Sequence, residues 1–183
     1  MADLAMAQRF LDLLGPEEDF TFQTFAESKD VAERAAKEGR VPSGLVHILH
    51  GSLASNAKEL TRLNDLGAGI FVMVNAGNLR GRSARHVVRV RALFIDLDGA
   101  PLEPVEQHTP SPHIIVESSP GKWHAYWRVA GCELNQFKEA QQRLSDQFEG
   151  DRVVSDLPRV LRLPGFYHRK GESFMSKLIK PAE

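Results

Sequence analysis

The sequence predicts one domain of the α/β or α+β class, in which a mixed or antiparallel central sheet carries helices on at least one face. Three observations predict it. Segments with apolar residues at helical spacing alternate with short apolar runs that are typical of strands. Glycine or proline separates most of these segments. The chain has 183 residues, of which 42% are hydrophobic, and this is enough to bury a sizeable core.

Helices and strands alternate in the N-terminal part of the chain. Helices are predicted over residues 3–14, Ser28–Gly39 and Ser55–Leu66. Strands are predicted around the phenylalanines at 20, 22 and 25, over Leu45–Leu49 and over Ile70–Val74. Gly15-Pro16 ends the first helix and Gly39 the second, while Ser55 or Asn56 is expected to cap the third.

Strands predominate in the rest of the chain. A long strand is predicted over Val87–Leu97, and a proline-rich loop follows it. The turn sequence Ser118-Ser119-Pro120-Gly121 predicts a hairpin of Ile114–Glu117 and Lys122–Val129. A helix over Leu134–Phe148 and a last strand over Val160–Leu163 complete the pattern.

Composition excludes several classes of protein. No stretch approaches the roughly 20 apolar residues that span a bilayer, and the N-terminus lacks the features of a secretory leader, so no membrane partner and a cytoplasmic location are expected. The single cysteine, Cys132, excludes an intrachain disulfide and a cysteine-rich zinc cluster. Any metal must therefore bind to oxygen or imidazole.

The net charge of −1 means that a role with nucleic acid must depend on local basic patches. Two patches are candidates, although basic segments of this kind are usually only solvated surface. The first contains Arg80, Arg82, Arg85, Arg89 and Arg91. The second contains Arg152, Arg159, Arg162, Arg169, Lys170, Lys177 and Lys180.

Two carboxylates, Asp96 and Asp98, end an apolar strand. Side chains two residues apart on a strand point the same way, so both carboxylates project from one face. Like charges at this spacing favour a cation between them, and Mg²⁺ or Mn²⁺ suits oxygen ligands. A surface turn is the alternative, because Gly99-Ala100-Pro101 follows directly.

His124 lies in a strand whose polar and apolar residues alternate. Alternation places Lys122, His124, Tyr126 and Arg128 on a polar face and the tryptophans on a face that packs on the core. An isolated histidine is often structural. The neighbouring Lys122 makes anion binding by His124 the functional alternative.

The segment from Gly150 to Lys170 combines two carboxylates with a cluster of cations. Carboxylates that hold a metal beside guanidinium groups that hold phosphates form the charge arrangement of a metal–triphosphate site. Asp156 has a structural explanation as well, because it precedes a Leu-Pro turn. Arg159 and Arg162 can reach one ligand only if the strand bends or begins after Arg159.

Taken in order, these segments resemble the archaeo-eukaryotic primase superfamily, and RepB-like plasmid and phage DNA primases in particular. The motifs are Phe94-Ile95-Asp96-Leu97-Asp98, the strand with His124, and Asp151 followed by Arg162-Leu163-Pro164-Gly165. The resemblance covers roughly residues 70–170. It implies an α+β fold in which a recognition-motif-like catalytic sheet, flanked by helices and covering about residues 69–175, packs on an N-terminal α/β unit of about residues 1–68, within a single domain of residues 1–183.

The resemblance also implies roles for individual residues. Asp96, Asp98 and Asp151 would bind two catalytic Mg²⁺ or Mn²⁺ ions, with Asp156 as the alternative third ligand. Basic side chains and one histidine would bind the nucleotide, namely Lys122, His124, Arg159, Arg162 and Lys170. Arg80, Arg82 and Arg85 would bind DNA. The implied partners are a single-stranded DNA template and nucleoside triphosphates, with a replicative helicase as a further candidate.

Two other classes of function remain open. One is a different metal-dependent enzyme, either a nuclease or a sugar-nucleotide transferase, since both use pairs of carboxylates. The other is a non-catalytic module that binds a replication origin through its arginines while the aspartates only shape turns. Lys122 departs from the primase pattern, because a small residue often precedes the motif histidine by two positions.

Overall fold

The computed structural model describes residues 1–28, 33, 37 and 43–181 of the chain, and the helix predicted over Ser28–Gly39 lies almost wholly outside them. The helices described are α1 (Leu4–Leu14), α2 (Leu53–Asp65), α3 (Glu103–Glu106) and α4 (Phe137–Gln147). The first six strands are β1 (Phe20–Ala26), β2 (Ile48–Gly51), β3 (Ala68–Met73), β4 (Ala76–Gly77), β5 (Val87–Arg89) and β6 (Ala92–Leu97). The others are β7 (Ile114–Ser119), β8 (Lys122–Arg128), β9 (Val160–Arg162), β10 (Tyr167–His168), β11 (Phe174–Met175) and β12 (Lys177–Lys180).

Two antiparallel sheets of four strands carry the fold. The first has the order β2-β1-β3-β9 and the second has the order β12-β7-β8-β6, while β4–β5 and β10–β11 are small two-stranded ribbons. The α+β class is therefore confirmed. Strands β3 and β9 belong to the part of the chain after the predicted boundary, yet they share a sheet with β1 and β2, which lie before it. The division of the chain near that residue stays a prediction.

The helices begin and end where local chemistry satisfies their free backbone groups. Asp3 caps α1 by accepting a 2.9 Å hydrogen bond from the Met6 N–H, and the Gly15 N–H donates to the Leu11 carbonyl at 2.8 Å. The cap predicted for α2 was wrong. Ser52 is the cap, and its Oγ accepts from the Ser55 N–H at 3.2 Å.

The long strand predicted over Val87–Leu97 is divided into β5 and β6. The Arg91 N–H donates to the Asn75 side chain at 3.1 Å, outside the strand ladder, so pairing restarts at Ala92. The strand predicted over Leu45–Leu49 also differs. Residues Ser43–Leu45 form a turn of 3-10 helix, and β2 begins only at Ile48.

Both faces of the second sheet are buried, so the polar face predicted for β8 was wrong. Tyr126 is fully buried against Phe10, with ring centroids 5.4 Å apart, in the core that joins the two sheets. On the opposite face Trp127 stacks on Phe148 at 5.8 Å. Tyrosine and histidine are amphipathic, so alternation with tryptophan does not by itself identify a solvated face. In the described part of the chain, no helix is long and apolar enough to cross a membrane.

Candidate active site

The adjacent ends of β6 and β8 bring two acidic residues opposite two basic ones. Asp96 is the register partner of His124, and the Asp96 Oδ1 lies 3.6 Å from the His124 Nε2. One step outward, the Lys122 Nζ lies 2.5 Å from the Asp98 Oδ1. The hairpin β7–β8 positions the basic pair, because its tight turn fixes the register of β8 against β6.

The surroundings of Asp96 disfavour its ionised form. Burial, followed by the negative charges of Asp98 and Asp151, raises the pKa of Asp96 from 3.8 to about 6, although Arg159 and Lys122 partly oppose this. Carboxylates that raise one another's pKa form a donor set that a cation would stabilise. Asp98 is the accessible member, with 63% of its side chain exposed.

His124 is buried and electrically neutral. Burial, followed by the charge of Arg162, lowers the pKa of His124 to about 3, so the ring carries no charge at neutral pH. Its Nδ1 is buried and has no hydrogen-bond partner among the described residues. The ring can thus act as a neutral donor or acceptor toward a ligand, but not as a cation.

Asp151 and Asp156 each begin a separate turn, since the Val154 N–H donates to the Asp151 carbonyl and the Arg159 N–H to the Asp156 carbonyl. The Asp151 N–H donates to the Asp96 carbonyl at 3.3 Å, which explains why the Asp151 charge acts on Asp96, while its Oδ1 accepts from the Val153 N–H at 2.9 Å. Asp156 forms an ion pair with Arg159 and lines the cleft. Each aspartate therefore has a local structural bond, and Asp151 adjoins Asp96 while Asp156 lines the same cleft as Asp96 and Asp98.

A cleft of about 720 Å³ lies between the two sheets and contains most of the predicted site residues. Its first-sheet wall consists of Phe25, Ala26, Glu27, Phe71, Val160, Leu161 and Arg162. Its second-sheet wall consists of Asp96, Asp98, Ser118, Ser119, Lys122 and His124. Connecting segments contribute Arg82, Val154, Asp156, Arg159, His168 and Lys170. Asp151, Arg80 and Arg85 lie outside this lining.

Arg159 and Arg162 both reach the cleft because β9 begins at Val160, directly after Arg159. Of the two arrangements that would let both arginines reach one ligand, a bent strand or a strand that begins after Arg159, the second is present. Arg162 is buried and forms an ion pair with Glu27, with its Nη2 2.6 Å from the Oε1 and its Nη1 3.1 Å from the Oε2. Its guanidinium also lies 4.6 Å from the centroid of the Phe71 ring.

The first basic patch is divided by the fold. Arg82 lines the cleft and donates to the Gln23 Oε1 at 2.8 Å, whereas Arg80 and Arg85 are exposed. Arg89 and Arg91 instead pair with Glu18, which precedes β1, and neither arginine lines the cleft. A continuous basic stripe in the sequence is thus two separate features in space.

Sequence reasoning missed Glu27, His168 and the serine pair Ser118-Ser119 as residues of the cleft. The serines were interpreted only as a turn, and His168 as part of a basic cluster. Glu27 carried one signal that could have identified it, because it is an acidic residue directly after the apolar strand segment Phe25-Ala26.

The acidic end of β6 has the donor chemistry for a hard divalent cation, since aspartate oxygens are the ligands that Mg²⁺ and Mn²⁺ prefer. The side chains are not yet arranged around one ion: within the described residues, no three His, Cys, Asp or Glu side chains form a ready-made group. Lys122 provides the positive charge beside Asp98 instead. Asp96 and Asp98 therefore fit a metal chemically, and a third carboxylate would have to turn toward them.

Solved structures with this fold include domains of a primase-polymerase and of a primase. The AEP domain of the cyanophage S-2L primase-polymerase matches with a TM-score of 0.74 at 18% identity, over 99% of this chain and 91% of that one. The catalytic domain of primase RepB′, solved in complex with initiator DNA, matches with a TM-score of 0.67 at 21% identity, over 97% of this chain and 84% of that one. At these identities the likeness concerns the fold. A comparison with curated proteins found no match.

The family of RepB DNA-primase N-terminal domains matches residues 73–179, which is more than half of the chain. The matched segment contains the acidic pair, His124 and the three arginines of the cleft, Arg82, Arg159 and Arg162. The sequence motifs, the fold and the family match agree, and the chain belongs to the RepB DNA-primase N-terminal domain family.

Proposed function

We propose that this chain is the catalytic domain of a DNA primase or primase-polymerase. It joins nucleoside triphosphates into short primers on a single-stranded DNA template, as a plasmid or phage replication enzyme would. The observation that carries the proposal is the cleft itself, in which Asp96 and Asp98 on one wall face Arg162 on the other. Carboxylates opposite guanidinium groups suit a nucleotide bound through metal and phosphate together.

Asp96, Asp98 and a third aspartate would hold Mg²⁺ or Mn²⁺. When bound, these ions supply activation of the attacking hydroxyl and stabilisation of the pyrophosphate that leaves. The protein's own residues bind and orient the triphosphate. Lys122 releases Asp98 and turns to a phosphate, and Arg159 similarly exchanges Asp156 for a phosphate oxygen.

The remaining residues of the cleft bind the nucleotide and the template. His124 is neutral, so it donates a hydrogen bond to a phosphate oxygen without adding charge. Lys170 adds a cation at the rim, and Arg82 with the exposed Arg80 and Arg85 attracts the template backbone. Template binding is therefore mainly electrostatic and weakens as salt increases.

The proposal is tested by incubating the chain with a single-stranded template, labelled nucleoside triphosphates and Mn²⁺, and resolving the lengths of the products. Short oligonucleotides should form, and Asp98→Asn should abolish them because a neutral amide cannot offset the charge of the metal. Glu139→Gln is the matched control, since it removes an exposed carboxylate of α4 that pairs with Arg143 and does not line the cleft.

Other outcomes point to other functions. Template cleavage without added nucleotides would identify a nuclease, and a requirement for a sugar donor would identify a transferase. Binding of DNA without incorporation by the wild-type chain would identify a non-catalytic module. Each of these results contradicts the proposed polymerisation.

Asp151 is proposed as the third metal ligand ahead of Asp156. Its charge acts directly on Asp96, whereas Asp156 already neutralises Arg159. Asp151→Asn should therefore remove most of the activity, and Asp156→Asn should keep much of it. Crystals soaked with Mn²⁺ provide the direct measurement, and an ion bound by Asp96, Asp98 and Asp156 would reverse the ranking.

A further inference from the structure

Glu27 is a buried carboxylate in the wall of the cleft. Only 1% of its side chain is exposed, compared with 8% for its partner Arg162. Both of its oxygens accept hydrogen bonds from Arg162, and the Oε2 also accepts from the Arg169 N–H at 3.1 Å. Glu27 thus contacts both β9 and the segment that follows β10. It is separated from Arg162 by 135 residues of sequence.

The first sheet leaves a defined space for this carboxylate. A Cβ at Gly69 would lie only 2.4 Å from the Glu27 Cδ and 2.5 Å from its Oε2. Any side chain at this position of β3 would therefore push the carboxylate out of place. Glu27 is held from one side by Arg162 and from the other by the surface at Gly69.

Arg162 keeps donors that Glu27 does not use. A guanidinium has five N–H groups, and within the described residues the hydrogen bonds of Arg162 go to the two oxygens of Glu27 alone. The aromatic face of Phe71 supports the plane of the guanidinium. The unused edge of Arg162 borders the same cleft as Asp96 and Lys122.

We propose that Glu27 is a positioning residue, which fixes the Arg162 guanidinium so that its unused N–H groups bind the triphosphate of the incoming nucleotide. This inference rests on the proposed polymerase function. A buried arginine whose guanidinium is fixed along one edge by a carboxylate has few orientations left. It therefore loses little conformational entropy when a phosphate binds to its other edge. Glu27 lies before the segment that matches the primase family, so the family match assigns it no role.

The test measures KM and kcat for the nucleoside triphosphate at saturating template with Mn²⁺, and the Kd for template separately. Glu27→Gln keeps the shape of the side chain but loses its charge and its second acceptor. It should raise the KM for the nucleotide about tenfold, while the Kd for template stays unchanged. Gly69→Ala should have the same effect, because it displaces the carboxylate without removing any charge.

A double mutant distinguishes positioning from a general loss of structure. If Glu27 acts through Arg162, adding Glu27→Gln to Arg162→Gln should cause no further rise in KM. The matched control is Glu18→Gln, which removes the same type of partner from Arg91 outside the cleft and should leave the KM unchanged. Gly69→Ala provides the test if Glu27→Gln does not fold.

Two results would overturn the inference. One is a KM within twofold of the wild type in both Glu27→Gln and Gly69→Ala. The other is an additive rise in the double mutant. A wild-type chain that incorporates no nucleotide would instead contradict the proposed function itself, and the positioning role would be lost with it.

Discussion

Two arginine–glutamate pairs that contact the first sheet are built alike. Arg91 pairs with Glu18 and its guanidinium lies 4.3 Å from the centroid of the Phe20 ring. Arg162 pairs with Glu27 and lies 4.6 Å from the centroid of the Phe71 ring. A glycine adjoins each pair, Gly15 the first and Gly69 the second. The two pairs differ in what their remaining donors contact.

Arg91 also donates to backbone carbonyls, to Asp19 at 3.1 Å and to Val74 at 3.5 Å, and it lies away from the cleft. Arg162 donates to no backbone carbonyl of the described residues and borders the cleft. A buried arginine whose donors are used by the protein stabilises the fold, and one whose donors are partly unused can bind a ligand. The comparison therefore separates a structural pair from a functional one.

Removing each arginine should give the largest effect on stability. Arg162→Gln leaves Glu27 buried without a charged partner and should cost about 3–5 kcal/mol of unfolding free energy. Arg91→Gln should cost less, about 2–3 kcal/mol, because Glu18 is partly exposed and keeps its contact with Arg89. Urea denaturation at pH 7 measures both values. An equal or larger loss in Arg91→Gln would contradict this order.

The same two variants should also differ in activity per folded molecule, and in the same order. Arg162→Gln should lower kcat/KM for the nucleotide about 100-fold, which corresponds to about 2.7 kcal/mol of lost transition-state stabilisation. Arg91→Gln should retain activity within about threefold, because Arg91 lies outside the cleft. Single-turnover incorporation, normalised to the folded fraction, measures the effect. Comparable losses in both variants would remove the distinction between the pairs.

The sequence could not have separated these pairs. Local signals predicted α1, the β7–β8 hairpin and the start of β9, because helical spacing and turn residues act over a few positions. The acidic end of β6 was predictable for the same reason, since an apolar strand delivers both carboxylates. Pairing of Glu27 with Arg162 depends on the order of strands in the sheet, which no local pattern specifies.

Other parts of the structure were hidden by the ambiguity of single residues. Residues 177–180 form β12 beside β7, but lysines at both ends made them resemble a solvated basic patch. Arg89 and Arg91 belong in sequence to the first patch, yet Glu18 binds both in space. His124 and Tyr126 alternate with tryptophans in the sequence, which suggested a polar face. Both are nevertheless buried, because both faces of the sheet are packed. Tertiary contacts determined each of these outcomes.

Acid should weaken both pairs, and the Glu27 pair more strongly. Burial raises the pKa of Glu27, but the hydrogen bonds and charge of Arg162 outweigh it, so the pKa is lowered from 4.5; the same balance lowers the pKa of Glu18. A lowered pKa gives stability that is complete above pH 4.5 and is lost as the pH falls through the folded value. Between about pH 5 and pH 3, the unfolding free energy of Glu27→Gln should therefore change less than that of the wild type.

Glu18→Gln provides the comparison, because Glu18 is more exposed and its charge is better screened. Its acid dependence should lie between those of the wild type and Glu27→Gln. Chemical denaturation at each pH gives the three curves. Parallel curves for the wild type and Glu27→Gln would show that the Glu27 carboxylate does not contribute through its charge.

The smallest effect is expected at Gly15, which adjoins the structural pair as Gly69 adjoins the functional one. A Cβ at Gly15 would lie 3.0 Å from the Arg91 Nε and 3.1 Å from the Glu18 carboxylate, a contact that the partly exposed Glu18 can relieve by shifting slightly. The backbone at Gly15 is extended, with φ −163°, so alanine introduces no strain there. Alanine also reduces the entropy of the unfolded chain by about 0.4–1 kcal/mol, which offsets the contact. The unfolding free energy of Gly15→Ala, measured by thermal unfolding, should thus stay within about 1 kcal/mol of the wild type. Its KM for the nucleotide should be unchanged, whereas Gly69→Ala raises that KM. A rise in KM for Gly15→Ala would show that the first pair also affects the cleft.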